Sequence, residues 1–191
     1  MTGSLGMGFP ILSLMLLVPL VAAVACLVVP REQARSVALV ATLIDFVLGI
    51  MLWMNFDIGG AQWQFVEHAP GIFGPFGWSL GIDGFALMLI MLSVFLMPIC
   101  IGASGRSITT RVPEYMAAFL FTEVLMIGTF AAQDLFLFYV FFEAGLIPMY
   151  LIIGIWGGAN RIYATIKFVL DRKSTRLNSS HIQKSRMPSS A

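Results

Sequence analysis

Five stretches of this sequence, 10–30, 35–55, 84–104, 113–132 and 134–156, are apolar over a length that crosses a bilayer. At about 1.5 Å per residue, about 20 residues of helix cover the roughly 30 Å of a hydrocarbon core. Lipid offers the backbone no hydrogen-bond partner, so each run must close its own N–H and C=O groups as a helix. A sixth run begins at Arg161 and changes character after Leu170. The expected fold is an all-α polytopic membrane protein with about five transmembrane helices and a truncated sixth. Composition agrees, because 11% of the residues are charged, against about 25% in a soluble domain.

The basic residues set an orientation. Arg31 and Arg35 lie between the first two runs, Arg106 and Arg111 between the third and fourth, and Arg161 with Lys167 after the fifth. Segments 1–9, 56–83 and the surroundings of Gln133 carry no Lys or Arg. The positive-inside rule then places the amino terminus outside and the three Arg-bearing connections in the cytoplasm. No Lys or Arg precedes the first run, which reads as a span and not a signal peptide; AVAC at 23–26 is only faintly like a lipoprotein cleavage site. Cys26 and Cys100 lie inside apolar runs, a placement that fits small core residues and neither a disulfide framework nor a metal cluster.

The one long connection, 55–83, alternates polar and apolar residues at Gln62, Trp63, Gln64, Phe65 and again at Trp78, Ser79, Leu80, with GIFGPFG between. That pattern predicts an external β-hairpin or a pair of extended segments. Asp57, Glu67, Asp83 and His68 within it lack metal-ligand spacing and read as a solvated surface. Pro19, Pro98 and Pro148 each fall inside a predicted helix, where the missing N–H favours a kink.

Ionisable residues at membrane depth carry the functional signal. Glu143 lies near the middle of the last long run, where a carboxylate costs on the order of 3 kcal/mol or more unless it faces protein or an internal water path. Pro148, five residues on, cannot donate to the carbonyl of Ala144, so a kink and a polar spot are expected beside the acid. A proton-handling role is the leading reading; a structural carboxylate bonded across a helix interface is the alternative. Asp45 and Glu123 each stand about ten residues into their runs, at a similar depth. Three acids at one level suggest a lateral polar layer, in which neighbouring carboxylates would resist ionising together and suit a relay. Which way they face is open at this stage, and Asp45 could instead pair with a Ser or Thr of a neighbouring helix. Lys167, near the start of the sixth run, is a further candidate, with a snorkelling interfacial lysine as the alternative.

From Asp171 the chain reads DRKSTRLNSSHIQKSRMPSSA, with six serines and five basic residues in place of aliphatics. Residues 161–170 are expected to lie along the cytoplasmic interface as an amphipathic or frayed helix, and 171–191 to be a disordered polar tail of foreign or misread character. A basic tail that binds anionic lipid is the alternative.

Three segments carry a family resemblance: SLGIDGFALMLIMLSVFLMPI at 79–99, DLFLFYVFFEAGLIPMYLIIGIWGG at 134–158 and NRIYATIKF at 160–168. Up to about Leu170 the chain resembles the amino-terminal third of the antiporter-like subunit M, or chain 4, family of proton-translocating NADH-quinone oxidoreductase, respiratory complex I. The resemblance implies that Glu143 is the proton-path glutamate of the fifth helix, working with a lysine on a broken seventh helix beyond this sequence. Glu123 matches a glutamate of many members, a candidate relay, whereas Asp45 matches no family position. The mechanism implied is electrostatic, a cation moving near the glutamate and changing its hold on a proton.

The sequence has no dinucleotide fingerprint, iron–sulfur spacing or flavin motif. No cofactor or metal is therefore expected on this chain, and NADH, FMN, iron–sulfur clusters and quinone are expected on other subunits. The partners implied are other complex I membrane subunits, especially neighbouring antiporter-like ones, together with the lipid bilayer and no nucleic acid. The location implied is the bacterial cytoplasmic membrane, with a non-redox part in an NADH:quinone oxidoreductase. The alternatives are the related subunit of a multi-subunit cation/proton antiporter or membrane-bound hydrogenase, or an inactive truncated fragment.

Overall fold

The computed structural model describes residues 10–73, 76–105, 108–158, 160–168 and 170. The polar tail, Arg106 and the first nine residues lie outside them. The chain falls into two compact units, Met1–Pro148 and Met149–Ala191. Its elements run α1 (Ile11–Val28), α2 (Arg31–Met54), β1 (Gln64–Phe73), β2 (Phe76–Ile82), α3 (Gly84–Ser104), α4 (Val112–Ala131), α5 (Leu135–Ala144) and α6 (Leu146–Trp156). Among the described residues, α1, α2, α3, α4 and the combined stretch Leu135–Trp156 are long and apolar enough to cross a membrane. The protein is thus a multi-pass, mostly helical membrane protein with a small two-stranded hairpin.

In the first unit α1 to α4 form a bundle. α4 is the central helix, packing on α1, α2, α3 and α5. Leu12, Met15, Ile90, Val94 and Ile127 are sealed where these helices meet, and the core continues through Leu80 and Ile82 of the hairpin. α1 and α3 remain helical through Pro19 and Pro98. Cys26 is buried, its thiol directed at the Ala34 carbonyl, but Cys100 is exposed. The expectation that both are core residues therefore holds for Cys26 only; Cys100 projects from α3 away from the bundle.

β1 and β2 pair antiparallel, with His68 opposite Ser79 and Glu67 opposite Leu80. The register shifts between Gln64 and Glu67, where Phe65 takes a left-handed φ of 53°. Such a bulge re-aims side chains. Phe65 is buried in the core, and Glu67 reaches the start of α1. There its two carboxylate oxygens accept the backbone N–H groups of Leu12 (2.8 Å) and Ser13 (3.0 Å) and the Ser13 hydroxyl. Trp78 Nε1 donates to the same hydroxyl at 3.3 Å. Glu67 is therefore no part of a solvated surface, as the sequence reading had it: it caps from a distance a helix start whose donors have no partner of their own. Asp83 is likewise a cap, accepting the Ala86 N–H at 2.7 Å at the start of α3.

In the second unit, residues 161–168 are helical. Arg161 donates to the Ile155 carbonyl at 2.9 Å. Gly157 packs against the Ile153 carbonyl and the Arg161 side chain so tightly that a Cβ there would overlap both. Thr165 is buried and bonds back to the Arg161 carbonyl at 2.6 Å.

Replacing Glu67 with Ala should lower the stability of the protein in lipid nanodiscs by about 2 kcal/mol, the cost of leaving helix-end donors without a charged acceptor. Glu67→Gln keeps one acceptor oxygen and should lose about half as much. Thermal unfolding of both variants reads the difference.

Candidate functional site

The carboxyl groups flagged by depth fall into two settings. Asp45 on α2 and Glu123 on α4 are both completely buried, at 0% exposure. They stand on two helices that pack against one another. None of their four oxygens has a hydrogen-bond partner among the described residues. Two acids of the expected layer are thus enclosed by protein.

The alternative for Asp45, a hydroxyl partner on a neighbouring helix, is not what the structure shows. Thr42 directs its proton to Leu39, Ser93 to Leu89, Thr122 to Ala118 and Thr129 to Leu125, each a carbonyl of the same helix. Inside a bundle this backbone bond is the one always within reach, so these hydroxyls are already occupied.

Glu143 is placed differently. It is half-buried, on a helix whose only fully buried residue is Leu137. α5 starts where Asp134 accepts the Phe136 N–H at 3.2 Å. It docks on α4 through Leu137 and Phe141, and an added Cβ at Gly128 would stand 2.7 Å from the Phe141 ring. Trp78 of the hairpin meets the same ring edge-on at 6.0 Å. Glu143 lies two residues, about 200°, round the helix from Phe141, on the face away from α4.

Between α5 and α6 only Gly145 intervenes, with right-handed helical dihedrals and its N–H bonded to the Phe141 carbonyl at 3.0 Å, so the two follow on as one span, Leu135–Trp156. Pro148, buried, has no N–H to offer the Ala144 carbonyl. The proline signal in the sequence therefore marks a carbonyl without its helical donor, one residue beyond the acid.

Lys167 belongs to the second unit, where it is exposed on the 161–168 helix. Its ammonium lies 6.0 Å from the centroid of the Tyr163 ring, one helical turn back. An aromatic face therefore stands beside the charge.

Sequence reasoning named these four residues. It missed what orients them: Glu67, Gly128 and the hairpin's hold on the α4–α5 connection. In that hold Gln133 N–H bonds the Ser79 carbonyl at 3.1 Å, Leu80 bridges to Ala132, and Ser79 Oγ donates to Gln133 Oε1 at 3.2 Å. Gly128 one turn before the end of an apolar run was the available signal.

The class is now defined: a multi-pass helical membrane protein with carboxyl groups sealed inside its bundle and a further one within a proline-bearing span. Residues 7–133 match the family model for the amino terminus of NADH-ubiquinone oxidoreductase chain 4, and residues 132–179 match the NADH:quinone oxidoreductase/Mrp antiporter transmembrane family. The chain belongs to the NADH-ubiquinone oxidoreductase chain 4 family. NADH-quinone oxidoreductase subunit M of Rhodobacter capsulatus is 50% identical over 167 residues, 84% of this chain and 32% of that protein. Chain 4 of Arabidopsis thaliana is 41% identical over 164 residues, 83% of this chain and 33% of that one. The chain spans about a third of the length of the curated relatives it matches. A chain of the membrane-bound sulfane sulfur reductase, an archaeal respiratory membrane complex, has the same fold, with a TM-score of 0.68 at 20% identity over 85% of this chain and 34% of its own.

Gly128→Ala should push the Phe141 ring off α4 and cost about 1–3 kcal/mol, as overpacking does in a filled core. Phe141→Leu on top of it should recover part of that loss. Thermal unfolding of the two single variants and the double variant measures the coupling.

Proposed function

We propose that the chain is the amino-terminal part of a proton-translocating membrane subunit of NADH-quinone oxidoreductase, with Glu143 as a proton-transfer residue. The observation that carries the reading is a carboxyl group half-buried in the fifth span, two residues before Gly145 and five before Pro148, in a chain of this family. Pro148 leaves the Ala144 carbonyl without its helical donor at a depth where lipid offers none. Glu123 is proposed as a relay on the neighbouring helix, and Lys167 as a further proton-path residue of the second unit.

The protein's part in this reading is electrostatic. Moving one charge through 100 mV costs about 2.3 kcal/mol, so a site that loads and releases a proton against that field must change its proton affinity by about fifty-fold. A cation brought near Glu143 and withdrawn supplies such a change. Redox chemistry, with NADH, FMN, iron–sulfur clusters and quinone, is assigned to other subunits. The partners are other membrane subunits of the complex, antiporter-like neighbours among them, and the surrounding lipid.

The proposed location is the bacterial cytoplasmic membrane with the hairpin outside. Within the first unit the hairpin, the start of α1 and the α4–α5 connection share one end, held by Glu67 and Gln133. Arg35 works at the other end, donating to the Ile108 carbonyl at 3.4 Å. That separation of basic and base-free connections supports the orientation. A second reading, the related subunit of a cation/proton antiporter, is favoured by the match to a family shared with Mrp antiporters.

In the full-length protein within its complex, Glu143→Gln should reduce NADH-driven proton uptake into inverted vesicles at least tenfold, with the protein still assembled. Unchanged pumping removes Glu143 from the path, and pumping that instead requires sodium favours the second reading. In a background with Cys26 and Cys100 replaced by Ala, a cysteine at Ala61 should react with a membrane-impermeant maleimide in right-side-out vesicles and be shielded in inverted ones.

A further inference from the structure

Asp45 and Glu123 stand in the middle of α2 and α4, sealed from solvent, with four carboxyl oxygens and no donor for any of them among the described residues. Two carboxylates left bare together inside a protein repel one another and lose their hydration. Three things can relieve this: a basic side chain, a hydroxyl or amide donor, or a proton. No basic side chain bonds either group. Thr42, Ser93, Thr122 and Thr129 give their hydroxyl protons to carbonyls of their own helices.

We propose that Asp45 and Glu123 form a proton-holding pair within the α1–α4 bundle, two sealed carboxyl groups on contacting helices that carry an exchangeable proton between them. Protonating one member halves the charge buried in the bundle and removes the repulsion between the two. The step is a proton transfer alone: a carboxylate takes up H⁺ to become the acid and returns the same H⁺ on release, with no electron moved. The site lies apart from Glu143, which is on α5 and on the face turned away from α4. Its use in transport rests on the proton-translocating reading; its protonation does not.

The test is infrared difference spectroscopy of the full-length protein in its complex, comparing H₂O with D₂O in the absence of NADH. The unaltered protein should show a protonated-carboxyl C=O band that shifts down on deuteration, and the band should be lost in Asp45→Asn/Glu123→Gln. In each single variant, whose amide keeps the side chain's shape, the band should move, because the neighbour of the remaining carboxyl group has changed. A band identical in the unaltered protein and in both single variants overturns the proposal. So does a band abolished by sodium ions, which would make the pair a cation site. Loss of pumping in Glu143→Gln leaves the band in place, so failure of the transport reading and failure of this one are told apart.

Discussion

The structure depends on what each helix does with backbone groups that the membrane cannot solvate. Inside a span the helix closes its own hydrogen bonds, but the first turn leaves donors bare. α1, α3 and α5 all begin at the hairpin end, and each is met there by a carboxylate: Glu67 from β1 on α1, Asp83 on α3 and Asp134 on α5. The acids at the hairpin end are thus the terminations of the odd-numbered helices, placed where the positive end of the helix dipole favours them.

Helices α2 and α4 start at the opposite end under a conflicting demand. α2 opens with Arg31 and α4 is preceded by Arg111, cations at helix starts where the dipole disfavours them by about 0.3–1 kcal/mol. Each carries an acid in its first turn, Glu32 and Glu114, and Arg111 pairs with Glu114 at 2.7 Å. The retained arginines make sense if side-selection in the membrane outweighs the small dipole penalty, with the adjacent glutamates offsetting it.

This also explains which parts of the protein could be read from the sequence. The spans and the hairpin were legible because length and alternation survive any arrangement of neighbours. The carbonyl without a helical donor next to Glu143 was legible because Pro148 lacks an N–H in every context. Facing was not. α1 and α3 are apolar all round, so packing and lipid sides carry no contrast, and Cys26 and Cys100 looked alike until one proved buried and the other exposed. Depth alone put Asp45, Glu123 and Glu143 at one level, but only packing could bring the first two together. Glu67 was misread because its partners are the N–H groups of Leu12 and Ser13, which belong to the backbone and leave no trace in residue identity.

The two acidic settings differ in a way that bears on any proton path. Asp45 and Glu123 are enclosed by α1 to α4 without a donor, so what neutralises them must come from an exchanging proton. Glu143 is half-buried beside a carbonyl that Pro148 leaves without its helical donor, on the side of α5 that α4 does not cover. Access, and not acidity alone, separates them: a sealed pair exchanges only when the bundle opens or water enters, whereas a half-buried group beside such a carbonyl can exchange along polar backbone. Gly128 joins the two settings. Only a residue without a side chain lets the Phe141 ring rest against α4, and that contact fixes α5, with Glu143 on its far face, beside the helix whose interior carries Glu123.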